Sequence, residues 1–248
     1  MRFGLLAAGG VGRRVAEVIA GAGQPLEWLI LDAADPESGN DAILAALEAQ
    51  SPGRIVTTDE LASEADVAAL GEVDVGLVAW WLQIIRPPLL DVPRRGFLNL
   101  HPSLLPHDRG MHSIYWTFVE GSPFGVSIHW VDAGVDTGPI AFQRPLEKSW
   151  LDSGETLYAR AQDALVELLR EKWPEIARGD IPSTPQDLAA GSAHHSRDLE
   201  AGSRLDLDAQ YTGRELLDLL RAYSFPPDAA WFEDGGRRYR VRVRITPD

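Results

Sequence analysis

The chain has 248 residues, 45 per cent of them hydrophobic, enough to bury the core of one large domain or of a domain with a small extension. It carries 37 acidic residues against 23 lysines and arginines, a net charge of −14 with a sequence pI near 4.8, which opposes unspecific attraction to nucleic-acid phosphates or an anionic lipid surface. No cysteine is present, so disulfides, thiolate metal sites and a cysteine nucleophile are excluded, in agreement with a reducing, cytoplasmic setting.

The first apolar run is interrupted by glycines and by Arg13, Arg14 and Glu17, well short of a membrane span or a signal-peptide core. Residues 3–8 read as a strand and 11–22 as a helix with Val11, Val15, Val18 and Ile19 on one side. A strand over 26–31, a helix over 41–50, a short strand over 54–57 and a helical stretch over 61–70 follow. Residues 75–80 have the composition of a central strand, 97–100 of a further one, 113–120 of a helix, and 125–131 and 140–145 of the last strands. Asp152-Ser153-Gly154-Glu155 then opens a long helix to about residue 177 with Leu157, Ala161, Ala164, Leu165, Leu168 and Leu169 on its buried side. This alternation predicts an α/β fold, a doubly wound and mostly parallel sheet covered by helices. From residue 179 to 202 prolines, glycines and serines replace periodicity, as in a linker or long loop. A small unit over 203–248 follows, with a helix at 212–222 and a hairpin turning at Asp234-Gly235-Gly236. The expected division is 1–178, 179–202 and 203–248, without internal repeats.

Three features could carry chemistry. Gly10-Val11-Gly12 closes the first strand and opens a helix, and Asp32 lies at the end of the second strand, where a dinucleotide-binding fold keeps its ribose-binding acid. The third glycine position is Val15, and any doubly wound fold needs glycine at such a tight turn. Nicotinamide binding is therefore a decoy reading. The second feature is Asn99-Leu100-His101 at a strand end before Pro102. Residues i and i+2 of a strand share a face, so an amide and an imidazole project together. Taken alone, Asn99 could be a turn amide, His101 a satisfied core histidine, and the downstream Asp136 a cap.

The pair does not stand alone. Asn99-Leu100-His101-Pro102-Ser103-Leu104-Leu105-Pro106, then Arg109-Gly110, then Gly125-Val126-Ser127-Ile128-His129, then Asp136-Thr137-Gly138 together resemble the folate-dependent formyltransferase family, most closely its enzymes that formylate amino groups on nucleotide-linked sugars. The resemblance runs from about residue 3 to 177 and more loosely through the tail. It implies a Rossmann-like catalytic domain in which Asn99, His101 and Asp136 are catalytic and 10-formyltetrahydrofolate donates the formyl group.

That chemistry suits the residue types. An amine attacking a formyl carbon creates an oxyanion and must lose a proton, so donors and a base are required. Asn99 can donate to the oxyanion, His101 can donate when protonated, and Asp136 can keep His101 charged and accept the amine's proton. Asp132 is the second-ranked carboxylate. The resemblance also implies a pterin site between two loops, one carrying Trp81, Leu82, Gln83, Ile84, Ile85 and Leu90, the other Val131, Asp132, Gly134 and Val135. Relatives commonly have Tyr-Gly where Trp80-Trp81 stand, and Trp80 alone reads as core. Ser103, Arg109, Gly110 and His112 are the candidate substrate contacts, and no metal is expected.

The third feature is the alternation from Arg237 to Ile245, a strand with one apolar and one cationic face. It could meet a nucleotide diphosphate, pack on the main domain or form a homodimer interface. The expected reaction is formyl transfer to a nucleotide-linked amino sugar, with no nucleic-acid or membrane partner. Glycinamide ribonucleotide and charged initiator tRNA are the alternatives of the same fold, and a nicotinamide oxidoreductase or a non-catalytic folate or nucleotide binder those of another class.

Overall fold

Short apolar segments become central strands where helices can cover both of their faces. The computed structural model describes residues 1–33 and 39–248. In chain order they form β1 (Phe3–Ala7), α1 (Gly9–Gly21), β2 (Leu26–Leu31), α2 (Asn40–Leu47), β3 (Arg54–Thr57), α3 (Glu64–Ala68), β4 (Val75–Ala79), β5 (Phe97–His101), β6 (Arg109–Gly110), α4 (Ser113–Val119), β7 (Phe124–Trp130), β8 (Ile140–Leu146), α5 (Gly154–Arg178), β9 (Ala193–His194), α6 (Asp198–Gly202), α7 (Gly213–Ala222), β10 (Ala230–Asp234) and β11 (Arg237–Val241). Among the described residues a seven-stranded sheet runs in the order β3-β2-β1-β4-β5-β7-β8. Its first five strands pair in parallel, and β7 and β8 add antiparallel. This is the α/β sheet expected from the sequence.

Strand residues alternate between two cores, as the period of two requires. Leu5, Leu29 and Leu77 face the larger core with α1, α4 and α5, whereas Leu6, Trp28, Ile30, Val78 and Phe97 face a second one. Gly76 is paired with Phe97, and a Cβ there would fall 2.2 Å from the Phe97 ring. The glycine makes room for the ring at the start of β5, the strand that ends in Asn99 and His101. That end lies with the carboxyl ends of the parallel strands, where open α/β sheets bind ligands.

Two expectations shift. The helical stretch over 61–70 shortens to α3 because Ser63 accepts the amide hydrogen of Asp66 and sets the start there. The arginine-rich stretch does not bury a continuous apolar face: β11 ends at Val241, and Arg237, Arg238, Tyr239 and Arg240 are all exposed. Only Val241 and Val243 pack, half-buried, against a small core of Leu205, Leu220 and Ala230. This carboxy-terminal unit is joined to the main body through Arg221, which is buried, donates to Ser149 O at 2.7 Å and lies 4.6 Å from the centroids of both Phe118 and Trp150. Among the described residues no helix is long and apolar enough to cross a membrane.

Candidate active site

The antiparallel pairing of β5 with β7 sets Asn99 opposite His129, and strand alternation adds His101 to the same face. The loop after β7 returns over them with Asp136 at φ 52, a left-handed conformation that costs a non-glycine residue on the order of 1 kcal/mol or more. The surrounding contacts hold it there. Gln186 Nε2 donates to Asp136 O at 2.9 Å and to Gly138 O at 2.6 Å, and Asp132 Oδ1 accepts from Gly134 N at 3.0 Å and Thr137 Oγ1 at 2.6 Å.

The Asp136 carboxylate is the centre of the cluster. Its Oδ2 accepts the Gly110 amide hydrogen at 2.8 Å and lies 3.5 Å from His101 Nδ1. Its Oδ1 accepts from Asn99 Nδ2 at 3.3 Å and lies 3.3 Å from His129 Nε2. His129 Nδ1 lies 2.9 Å from Trp130 O. A carbonyl oxygen only accepts, so His129 Nδ1 carries a proton, and Nε2 of the same ring also lies 3.2 Å from Asn99 Nδ2. Gly110 has no substitute: its φ is 84 and a Cβ would fall 2.2 Å from His194 O.

Burial opposes charge on both members of the His101–Asp136 pair, with different results. For Asp136, burial raises the pKa, but His101, His129 and the Gly110 N–H outweigh it and hold the carboxyl well below the ordinary carboxylate range. For His101, burial lowers the pKa more than Asp136 raises it, so the ring is favoured in its neutral form. The expectation that Asp136 keeps His101 charged is thus replaced by an ionised carboxylate facing a neutral imidazole.

Acid stability follows from these directions. An unfolded histidine titrates near ~6.5, and as pH falls below that the unfolded chain takes up a proton the folded protein resists, so stability falls with pH. The depressed Asp136 adds a second loss as pH falls below the unfolded carboxylate value of about 3.9. Between pH 7 and pH 5.5 the His101→Gln variant should lose less stability than the wild type in denaturant titrations. Equal losses would contradict the assignment.

Residues 28–172, which include the whole cluster, match the family profile described as formyl transferase. The chain belongs to the formyl transferase family. Residues 198–247 of this formyl transferase also match a profile described as an N-formyltransferase dimerization C-terminal domain. A sugar N-formyltransferase of a Shewanella species is similar over 100% of this chain and 99% of its own, with a TM-score of 0.82 at 21% identity. A protein of Mycobacterium tuberculosis proposed to be a sugar N-formyltransferase shares 26% identity over 100% of this chain and 98% of its own, with a TM-score of 0.80. An N-formyltransferase of Helicobacter canadensis, in complex with folinic acid and dTDP-3-aminofucose, has a TM-score of 0.70 at 16% identity over 90% of this chain and 80% of its own.

Both loops named for the pterin pack apolar side chains against one core cluster in this formyl transferase. Trp81, Ile85, Leu90 and Val131 pack half-buried against the same core cluster, while Leu82 (67%), Ile84 (67%) and Val135 (45%) stand exposed. Gln83 is directed elsewhere, donating to Asp32 Oδ1 at 2.9 Å. Asp132 is exposed and its Oδ1 secures its own loop, which distinguishes it from Asp136. Trp80 is half-buried, edge-on to Tyr158 at 5.3 Å between ring centroids.

The candidate substrate contacts divide. The Ser103 hydroxyl is fully buried and donates to His107 O at 2.8 Å, so it stabilises the loop and does not face a ligand. Arg109 is buried as well, its guanidinium donating to Pro106 O at 3.2 Å and Leu188 O at 3.3 Å. Gly110 touches the cluster directly, and His112 is exposed at the start of α4. Arg13 is paired with Glu17. His129 and Gln186 are the residues to which sequence reasoning assigned no role. The antiparallel register of β7 against β5 carries the signal for His129, but nothing in the irregular stretch around Gln186 marks it.

Proposed function

We propose that the chain transfers a formyl group from 10-formyltetrahydrofolate to the primary amine of a nucleotide-linked amino sugar, with Asn99, His101 and Asp136 as its catalytic residues. The observation that carries this reading is the single ionised carboxylate of Asp136 contacted by two imidazoles, an amide and a backbone N–H, beside two loops with exposed apolar side chains. Those side chains suit the flat face of a pterin, and the sugar and folate in the Helicobacter canadensis complex support the substrate class.

In this reading the amine lone pair attacks the formyl carbon and the carbonyl oxygen becomes an oxyanion, stabilised by hydrogens from Asn99 and from His101 once it is protonated. The amine's proton passes to Asp136, directly or through His101. Collapse breaks the bond from the formyl carbon to the folate nitrogen, which takes up a proton, giving a formamide and tetrahydrofolate. His129 is a positioning residue, fixing Asn99 from across the ladder. Residues 1–178 are the catalytic unit, 179–202 a strap that includes Gln186, and 203–248 the carboxy-terminal unit.

Thermal shift separates the reaction classes. A ligand that binds only the folded state raises the melting temperature, so 5-formyltetrahydrofolate should raise it and nicotinamide dinucleotides should not. Leu82→Asp should weaken the folate shift. Stabilisation by a nicotinamide dinucleotide alone would overturn the reading in favour of an oxidoreductase.

The carboxy-terminal unit is the inferred homodimer surface, supported by the profile match and by the exposed Leu207 (58%), Leu217 (39%) and Tyr239 (43%) on it. Light scattering should give twice the 27.2 kDa chain mass, and the double variant Leu217→Glu, Tyr239→Glu should shift it towards one chain. A wild type at single-chain mass would contradict this inference.

A further inference from the structure

Outside the active-site cluster, the segment that supports it contains a second group of ionisable side chains. Asp108 precedes β6, Glu120 follows α4, and His194 ends β9; one carboxylate oxygen of each acid and one ring nitrogen of His194 all lie within 4.8 Å of one another. His194 Nε2 is 2.8 Å from Glu120 Oε1, yet that nitrogen has no hydrogen-bond partner, a close approach without donor–acceptor alignment. Asp108 is fully buried. Its Oδ2 accepts from Thr117 Oγ1 at 2.6 Å and Ser122 Oγ at 2.5 Å, which fixes the carboxylate and leaves the buried Oδ1 without a partner.

We propose that Asp108, Glu120 and His194 bind one divalent transition-metal ion, for which Zn2+ is the best probe. One imidazole and two carboxylates form a donor set that such ions accept, with water completing the shell. Bond lengths of about 2.0–2.2 Å put tetrahedral ligands roughly 3.4 Å apart, so a modest inward rotation closes the site. Glu120 has the freedom to make it, its side chain being 33% exposed at the edge of an open cleft of about 320 Å³ lined also by His107, Ser122 and Ser192. The other ligands are already held. The Trp116 ring stacks on His194 at 3.8 Å, and Thr117 and Ser122 orient Asp108 in the way outer-shell groups orient metal ligands.

The location gives the ion a structural task. Asp108 O lies 3.4 Å from His101 Nε2, and Gly110, whose amide holds Asp136, pairs with His194 across β6 and β9. An ion shared by Asp108, Glu120 and His194 would cross-link the backbone that supports both catalytic side chains to α4 and to the strap. The competing cation is Lys148, whose Nζ donates to Thr117 O at 2.5 Å and Ser122 O at 2.8 Å and whose charge acts on Asp108.

The test is titration of the chelator-treated full-length protein with Co2+, followed by its visible absorption, and then displacement by Zn2+. One equivalent should bind with the d–d bands of a low-coordinate nitrogen–oxygen site, and Zn2+ should raise the melting temperature. Glu120→Gln, at the exposed ligand, and Asp108→Asn should each weaken binding at least tenfold, whereas Asp136→Asn should leave it unchanged. Absence of binding in the wild type would overturn the proposal and leave Asp108 to Lys148. So would binding that survives Glu120→Gln, or binding lost in Asp136→Asn, which would place the ion among the catalytic side chains.

Discussion

Asp136→Asn is expected to lower turnover by on the order of a hundredfold or more while the protein stays folded and binds reduced folate. The amide preserves an acceptor for the Gly110 N–H, so the loop keeps its main tether, but the charge that His101 and His129 face is gone. Asn99→Ala and His101→Ala should fall in the same range, since loss of one positioned donor costs about 2.7–4 kcal/mol of transition-state stabilisation. Because the three groups share one carboxylate, their losses should not add. His129→Gln should cost less, since it supports Asn99 without meeting the substrate. Kinetics with each variant, alongside folate titration, separates lost chemistry from lost binding. Near-normal turnover of Asp136→Asn would move the proton-accepting role to another group. Asp132 is a weak successor, because its Oδ1 is engaged by Gly134 N and Thr137 Oγ1.

The second large effect is on the choice of amine. A tRNA acceptor requires a basic surface that follows its phosphates, and each phosphate contact adds to a steep salt dependence. With 37 acidic residues against 23 lysines and arginines, such a surface is unfavourable here, whereas two phosphates of a nucleotide sugar need only a few local donors. Methionyl-tRNA should therefore give no detectable formylation at physiological salt under conditions where a nucleotide-linked amino sugar is converted. Which donors meet the phosphates is narrowed by the fold. Arg109 is committed to carbonyls and Arg13 to Glu17. Efficient tRNA formylation would defeat the sugar assignment and leave the active-site chemistry intact.

Much of this was legible in the sequence because it depends on local pattern. The strand alternation that buries Leu5 on one face and Leu6 on the other also puts Asn99 and His101 on one side, and the order of apolar runs implied the parallel sheet. What was not legible depends on distant segments meeting. His129 faces Asn99 only through the β5–β7 register. Gln186, in a stretch without periodicity, reaches the Asp136 loop from fifty residues away. Ser103 and Arg109 belong to the motif by sequence but are turned inward by the packing of the Pro106 loop. The alternation from Arg237 to Ile245 suggested a strand with one buried apolar face, yet of that stretch only Val241 and Val243 pack, half-buried, on the small core that Ala230 of the other strand helps to form.

The protonation of His101 shows why charge states in particular need the fold. From sequence, a carboxylate beside an imidazole argues for a charged pair. In the folded chain the ring is 5% exposed, and its desolvation outweighs the attraction of Asp136. In the proposed reaction, therefore, His101 takes part as an imidazolium only after it has accepted the amine's proton.

The central claim, that this cluster transfers a formyl group from folate to an amine on a nucleotide-linked sugar, is tested most directly by mass spectrometry of a single incubation. Purified protein, 10-formyltetrahydrofolate and a panel of dTDP- and UDP-linked amino sugars should yield one product heavier by one formyl group, with an equal amount of tetrahydrofolate released and neither formed by Asp136→Asn. Release of tetrahydrofolate without any formylated sugar, or equal product from Asp136→Asn, would contradict the account.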